Sequence, residues 1–164
     1  DALQAGLESV AGPGYWGQAL AHHHRTGRSR NWFGLVATIV DRDLMLGVGF
    51  DDSFKSGEDI ELRWRMRDSG LRTAVSRRVF VEHRFAADDF DFALDQFVMD
   101  GTGLGRMVRK HGWRGARLAL LPAAAAVRGS ALSLAEGQPR WLRYYGAFCW
   151  YNYAAMARGL RRES

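Results

Sequence analysis

The 164 residues contain one cysteine, three prolines and, beyond position 100, two acidic side chains. A lone Cys149 cannot close an internal disulfide; set among aromatics it reads as a buried, inert thiol, which suits a reducing, cytoplasmic setting. No run reaches the ~18–20 consecutive apolar residues of a membrane-spanning helix, and the longest candidate, Leu118 to Val127, is interrupted by Pro122. It is therefore read as non-spanning. Zinc-ligand spacing, an RNA-recognition signature and a helix-turn-helix pattern are all missing, so nothing supports specific nucleic-acid binding. There is no internal repeat, no low-complexity block beyond Ala123 to Ala126, and no targeting segment. The chain opens on Asp1 rather than Met, which predicts an excised piece of a longer protein.

What is present supports one sizeable core, since 47% of residues are hydrophobic and 12% aromatic. The net charge of +5 conceals an asymmetry. Residues 1–100 carry 12 Lys and Arg against 16 Asp and Glu, while residues 101–164 carry 11 against 2. The basic surplus thus belongs to the C-terminal segment, where acidic lipid headgroups, nucleotide phosphates, nucleic acid or a solvated surface are all compatible. The terminal stretch from Trp141 to Arg162 crowds Trp141, Tyr144, Tyr145, Phe148, Trp150, Tyr151 and Tyr153 among arginines. Such a segment is either a buried helix, the reading placed first, or a membrane-interface anchor.

Periodicity and breakers predict the elements. Residues 1–31 read as mostly irregular after a short helical start, with a turn at Gly12-Pro13-Gly14 and an exposed basic loop through His22-His23-His24. Trp32 to Val40 reads as a buried strand, Asp41-Arg42-Asp43 as a helix start, and Gly47 to Asp52 as a loop. From Ile60 to Arg67 apolar and charged residues alternate as in a strand. Ser56 and Asp59 at capping-box spacing, Glu61 four residues before Arg65, and Gly70 as a stop favour a helix instead. Such a helix, with Ile60 and Trp64 on one side and Leu62 and Met66 on the other, is buried on two faces. Short strands are predicted at Leu71 to Val75 and Val79 to Glu82, and helices from about Asp89 onward.

Gly49-Phe50-Asp51-Asp52-Ser53-Phe54-Lys55-Ser56-Gly57-Glu58-Asp59-Ile60-Glu61-Leu62, with Arg65 and Gly70 after it, resembles a motif run of the family 2 glycosyltransferases. Val79-Phe80-Val81-Glu82-His83 is similar to the histidine-ended strand that follows it there. Gly101-Thr102-Gly103-Leu104-Gly105-Arg106 is more loosely similar to a glycine- and arginine-rich segment of the same family. The resemblance implies an α/β chain: a partial GT-A (nucleotide-diphospho-sugar transferase-like) domain of a few strands with flanking helices and a helical C-terminal segment. Residues 1–112 would be its acceptor-side half and residues 113–164 a basic, aromatic helical extension.

The implied activity is inverting transfer of a single sugar from a nucleotide-diphosphate sugar to an acceptor hydroxyl. Asp59 is implied as general base, with Glu58 beside it to orient the acceptor or tune its neighbour. A helix N-terminus there would favour the ionised carboxylate and weaken it as a base, and desolvation by substrate would restore basicity. His83 is implied as a ligand of a divalent cation, Mn or Mg, that stabilises the leaving diphosphate. The acceptor wall is assigned to Trp32, Phe33 and Asp52, with core packing the competing role for the two rings.

Two family features are missing. No Asp-x-Asp metal motif precedes residue 31; Asp41-Arg42-Asp43 has the letters in the wrong place. The glutamine-x-x-arginine-tryptophan motif of processive members is absent where Asp95 to Asp100 stands. The expectation is thus a fragment inactive alone, with the donor cradle elsewhere, acting on a lipid-linked or cell-envelope glycan. Its location would be cytoplasmic, with peripheral attachment at the inner face of the plasma membrane. The competing reading is a non-catalytic module that binds a polyanion or membrane surface through basic residues 101–164.

Overall fold

The computed structural model describes residues 1–26, 33–54 and 56–161. It is an α/β arrangement: a small mixed sheet of three strands with flanking helices and a helical C-terminal segment. Strand β1 (Ala2–Val10) lies in the centre, antiparallel to β2 (Thr38–Val40) and parallel to β3 (Thr73–Arg84). The short helical start expected before a mostly irregular stretch to residue 31 is therefore corrected, since Ala2 to Val10 form the central strand. Its buried positions Ala2, Gln4, Gly6 and Ser9 carry little apolar bulk, which is why the strand is inconspicuous in sequence.

After the Gly12-Pro13-Gly14 turn, helix α1 (Tyr15–Thr26) begins, its N-terminus held by Asp88, whose Oδ2 accepts from the Gly14 N–H at 2.6 Å. The part of the predicted basic loop from His22 to Arg25 is thus helix, and its Gly27 to Arg30 part lies outside the described residues. His22 is buried and stacks on Trp141, and His23 lies among Tyr144, Tyr145 and Phe148. Burial, then the neighbouring His24 and His22, lower the His23 pKa to about 3, so it packs as a neutral ring.

The strand expected over Trp32 to Val40 shrinks to three residues. Trp32 lies outside the described residues, and Leu35 and Ala37 take positive φ (65° and 51°), which ends extended pairing before Thr38. Helix α2 (Arg42–Val48) starts as expected, with Asp41 Oδ1 accepting from the Asp43 and Leu44 N–H groups. It runs further than expected, so the loop begins at Gly49.

Helix α3 (Glu58–Asp68) confirms the choice of helix over strand. Leu62 and Met66 pack with Ala2 and Phe33 toward the sheet, and Ile60 and Trp64 pack with Phe54, Leu104, Met107 and Met156 toward the helical layer. The stop is a Schellman turn: Gly70 at φ +78°, the Leu71 N–H donating to Met66 O and the Gly70 N–H to Arg67 O. The predicted capping box does not form. Gly57 occupies the N-cap in the left-handed region, and Ser56 Oγ donates instead to Met99 O at 2.7 Å. The two short strands predicted after Gly70 are one strand, β3, whose pairing with β1 slips where Ser76 Oγ accepts from the Arg78 and Val79 N–H groups.

The helical segment comprises α4 (Phe90–His111), the short α5 (Trp113–Ala116), a 3₁₀ turn at Arg117–Leu120, α6 (Leu121–Ala135) and α7 (Leu142–Leu160). Gly101 and Gly105 on one face of α4 let its backbone touch that of α7: a Cβ on Gly105 would stand 2.4 Å from Met156 O. Trp141, Tyr144, Tyr145 and Phe148 are buried in this layer. Packing accounts for most of the aromatic tail. Pro122 does not interrupt the apolar run, because it sits in the first turn of α6, where no N–H partner is lost. Among the described residues, Trp113–Ala135 is long and apolar enough to cross a membrane by length and composition, with mean hydropathy 1.5, and it lies mostly unburied.

Candidate active site

Residues of the Gly49-to-Leu62 run are held from two directions. Glu61, fully buried on α3, accepts from Arg65 Nε at 2.7 Å and from Lys110 Nζ at 2.6 Å. Arg65 in turn donates to Val48 O and Gly49 O, so this ion pair clips the start of the loop to α3. Burial opposes the Glu61 charge, but Lys110 and Arg65 outweigh it and hold the pKa below the usual glutamate value. Lys110 also pairs with Asp51, whose Oδ1 accepts from the Ser53 N–H at 2.9 Å. From the other side, Gly103 of α4 presses on the turn: a Cβ there would be 2.8 Å from Ser56 O and 3.1 Å from the Gly57 nitrogen.

Asp59 stands in the first turn of α3. Its Oδ1 accepts the Ile60 N–H at 2.8 Å, and its Oδ2 lies against Gly34, where an added Cβ would come within 3.0 Å. Gly34 is fixed in turn by donating its N–H to Oε1 of the buried Gln4 at 2.6 Å. Burial raises the Asp59 pKa, the Ile60 hydrogen bond opposes that, and the Glu58 charge adds to the rise. The expected weakening by the helix terminus is thus outweighed by the protein's own desolvation of this carboxylate. Glu58 sits beside it, half-buried.

Sequence reasoning missed Asp100. The residue is exposed to water overall, and desolvation, and next the Asp59 charge, push the pKa of its carboxylate up to about 7. No spacing rule links two aspartates 41 positions apart. Their electrostatic interaction follows from Ser56 and Gly57 meeting Met99 and Gly103 on α4. A carboxylate with raised pKa next to a second one is an arrangement suited to accepting a proton near neutral pH.

The other expected residues disperse. Phe33, 2% exposed, packs on Leu62 and Met66; it is a core ring and presents no face to an acceptor. Trp32 lies outside the described residues. Asp52 is exposed in the turn after Gly49. His83 pairs with Ser9 at the far end of β1, whereas Asp59 reaches β1 through Gly34 and Gln4, roughly 16 Å of strand away. The structure does not join the two.

The His83 ring stacks on His24 with centroids 6.5 Å apart, and its buried Nδ1 has no hydrogen-bond partner among the described residues. That nitrogen is compatible with a ligand role. Among the described residues, however, no three His, Cys, Asp or Glu side chains gather into a metal site, so they do not by themselves hold a divalent cation.

Much of the basic surplus is engaged internally. Arg114 binds Asp68 at 2.8 Å, Arg109 donates to Arg161 O, Arg140 lies over the Trp141 ring, and Arg106 is buried. The chain matches no known family model, no curated protein and no solved structure.

Proposed function

We propose that the chain is the acceptor-side part of a family 2 type glycosyltransferase of the GT-A fold, with Asp59 as its general base. The observation that carries this reading is the Asp59 carboxylate itself: held between the α3 start and Gly34, and raised in pKa by burial. In the step this supports, Asp59 takes the proton of an acceptor hydroxyl as its oxygen attacks the anomeric carbon. The bond from that carbon to the diphosphate breaks, the nucleotide diphosphate leaves with the electron pair, and configuration inverts. Glu58 tunes Asp59 through its charge.

The donor is a nucleotide-diphosphate sugar and the acceptor a lipid-linked or cell-envelope glycan that receives one sugar, at the cytoplasmic face of a membrane. His83 would contribute one nitrogen to a divalent cation whose other ligands the described residues do not supply. Asp59→Asn in the complete protein tests the reading. Sugar-nucleotide turnover is expected to fall roughly 10²–10⁴-fold while the melting temperature is not lowered. Turnover near the unmutated level would overturn the assignment.

A further inference from the structure

Trp113, Leu120, Val127 and Leu134 recur every seven residues along α5, the 3₁₀ turn and α6, and all four are exposed, at 83%, 69%, 72% and 58%. Seven residues are nearly two helical turns, so the four side chains drift only slightly and form one stripe roughly 30 Å long. Exposed Ala124 and Ala131 fill the intervals. Arg114, Arg117 and Arg128, all exposed, fall on one edge of the stripe, Arg114 paired with Asp68 and Arg128 donating one N–H to Thr26 O, and residues 113–135 contain no acidic side chain. The opposite face is committed to protein: Gly129 lies against the Tyr145 ring, Ser133 and Leu118 are buried, and Ala119 O accepts from the Tyr153 hydroxyl.

We propose that this stripe is a membrane-docking surface, with residues 113–135 lying in the plane of an anionic bilayer. The four large apolar side chains enter the acyl boundary while Arg117 and Arg128 meet the headgroups. The helix lies flat and does not span, because a spanning helix would leave lipid on the face that here packs on α7. A bilayer is favoured over a second copy of the chain because pairing two such stripes would set arginine edges together with no acidic partner on either helix. The inference is independent of the catalytic assignment, since it is read without any sugar donor.

The test is flotation of the protein with vesicles of phosphatidylcholine and phosphatidylglycerol (7:3) or phosphatidylcholine alone, at about 100 mM salt. Leu120→Ser/Val127→Ser is the test variant and Ile39→Ser, which removes an exposed apolar residue on β2, is the control. Association with the anionic vesicles is expected, weaker on neutral ones, and reduced roughly tenfold per side chain removed in the double variant but unchanged in the control. Unchanged melting temperatures establish that the variants fold. No flotation with anionic vesicles, equal binding by the double variant, or a dimer lost in the double variant without vesicle binding would each overturn the proposal.

Discussion

Adding one methyl group at each of two helical glycines should move stability in opposite directions. At Gly146, on the exposed face of α7, a Cβ meets nothing within 4 Å. Ala there gains helix propensity and a less flexible unfolded chain, about 0.5–1 kcal/mol. At Gly105 on α4 the same Cβ would stand 2.4 Å from Met156 O and 2.9 Å from the Gly159 backbone. Backbone atoms cannot rotate aside, so α7 must move away from α4 and loosen the packing of Leu104, Met107 and Met156. Overpacking of this kind costs typically 1–3 kcal/mol, with the helix-propensity gain set against it. A net loss of about 1–2 kcal/mol is expected, so the two variants should differ by about 2–3 kcal/mol, or roughly 5–10 °C in melting temperature. Thermal and urea unfolding followed by circular dichroism measure both. If Gly105→Ala matches or exceeds Gly146→Ala in stability, the close backbone contact between α4 and α7 is wrong.

Asp100→Asn should stabilise the fold more at pH 8 than at pH 4. The folded pKa of about 7 exceeds the ordinary 3.8, so the wild-type carboxylate contributes a cost that is absent below pH 4, grows as pH rises between the two values and is full above 7. Because water reaches Asp100, the difference is expected to be about 1–2 kcal/mol, and a pH-independent difference in urea midpoint would refute the assignment. Glu61→Gln leaves Lys110 and Arg65 without their buried counter-charge and should cost about 2–3 kcal/mol at pH 7. Since the Glu61 pKa is lowered, that difference should shrink as pH falls below about 4.5, which acid titration of unfolding would reveal. Gly34→Ala presses a methyl group on Asp59 Oδ2 and should lower transfer by roughly 10–10²-fold with little change in melting temperature; unaltered turnover would separate Gly34 from the site.

Elements signalled by local chemistry were legible in the sequence. The Asp41 cap, the Gly70 stop and the two-sided apolar pattern of Ile60 to Met66 each depend on residues a few positions apart, and each appears in the structure. What failed depends on distant partners. Ala2 to Val10 looks weak until paired on both sides, and His22 to His24 look solvated until aromatic rings from α7 surround them. Ser56 has the right spacing for a cap but finds Met99 O, 43 positions away. The electrostatic influence between Asp59 and Asp100 and the hold of Lys110 on Glu61 come from a helix that nothing in the Gly49-to-Leu62 run announces.

Gly103 touches Ser56 and Gly57 backbone to backbone. A side chain between two elements acts as a cushion, since rotamer changes absorb small displacements before the next element feels them. At Gly103 that cushion is missing. The turn carrying Glu58 and Asp59 takes its height from the axis of α4, and α4 takes its own from α7 through Gly101, Gly105 and Gly159. Any variant that shifts α7 against α4 at these glycines is therefore expected to shift the turn carrying Asp59 as well.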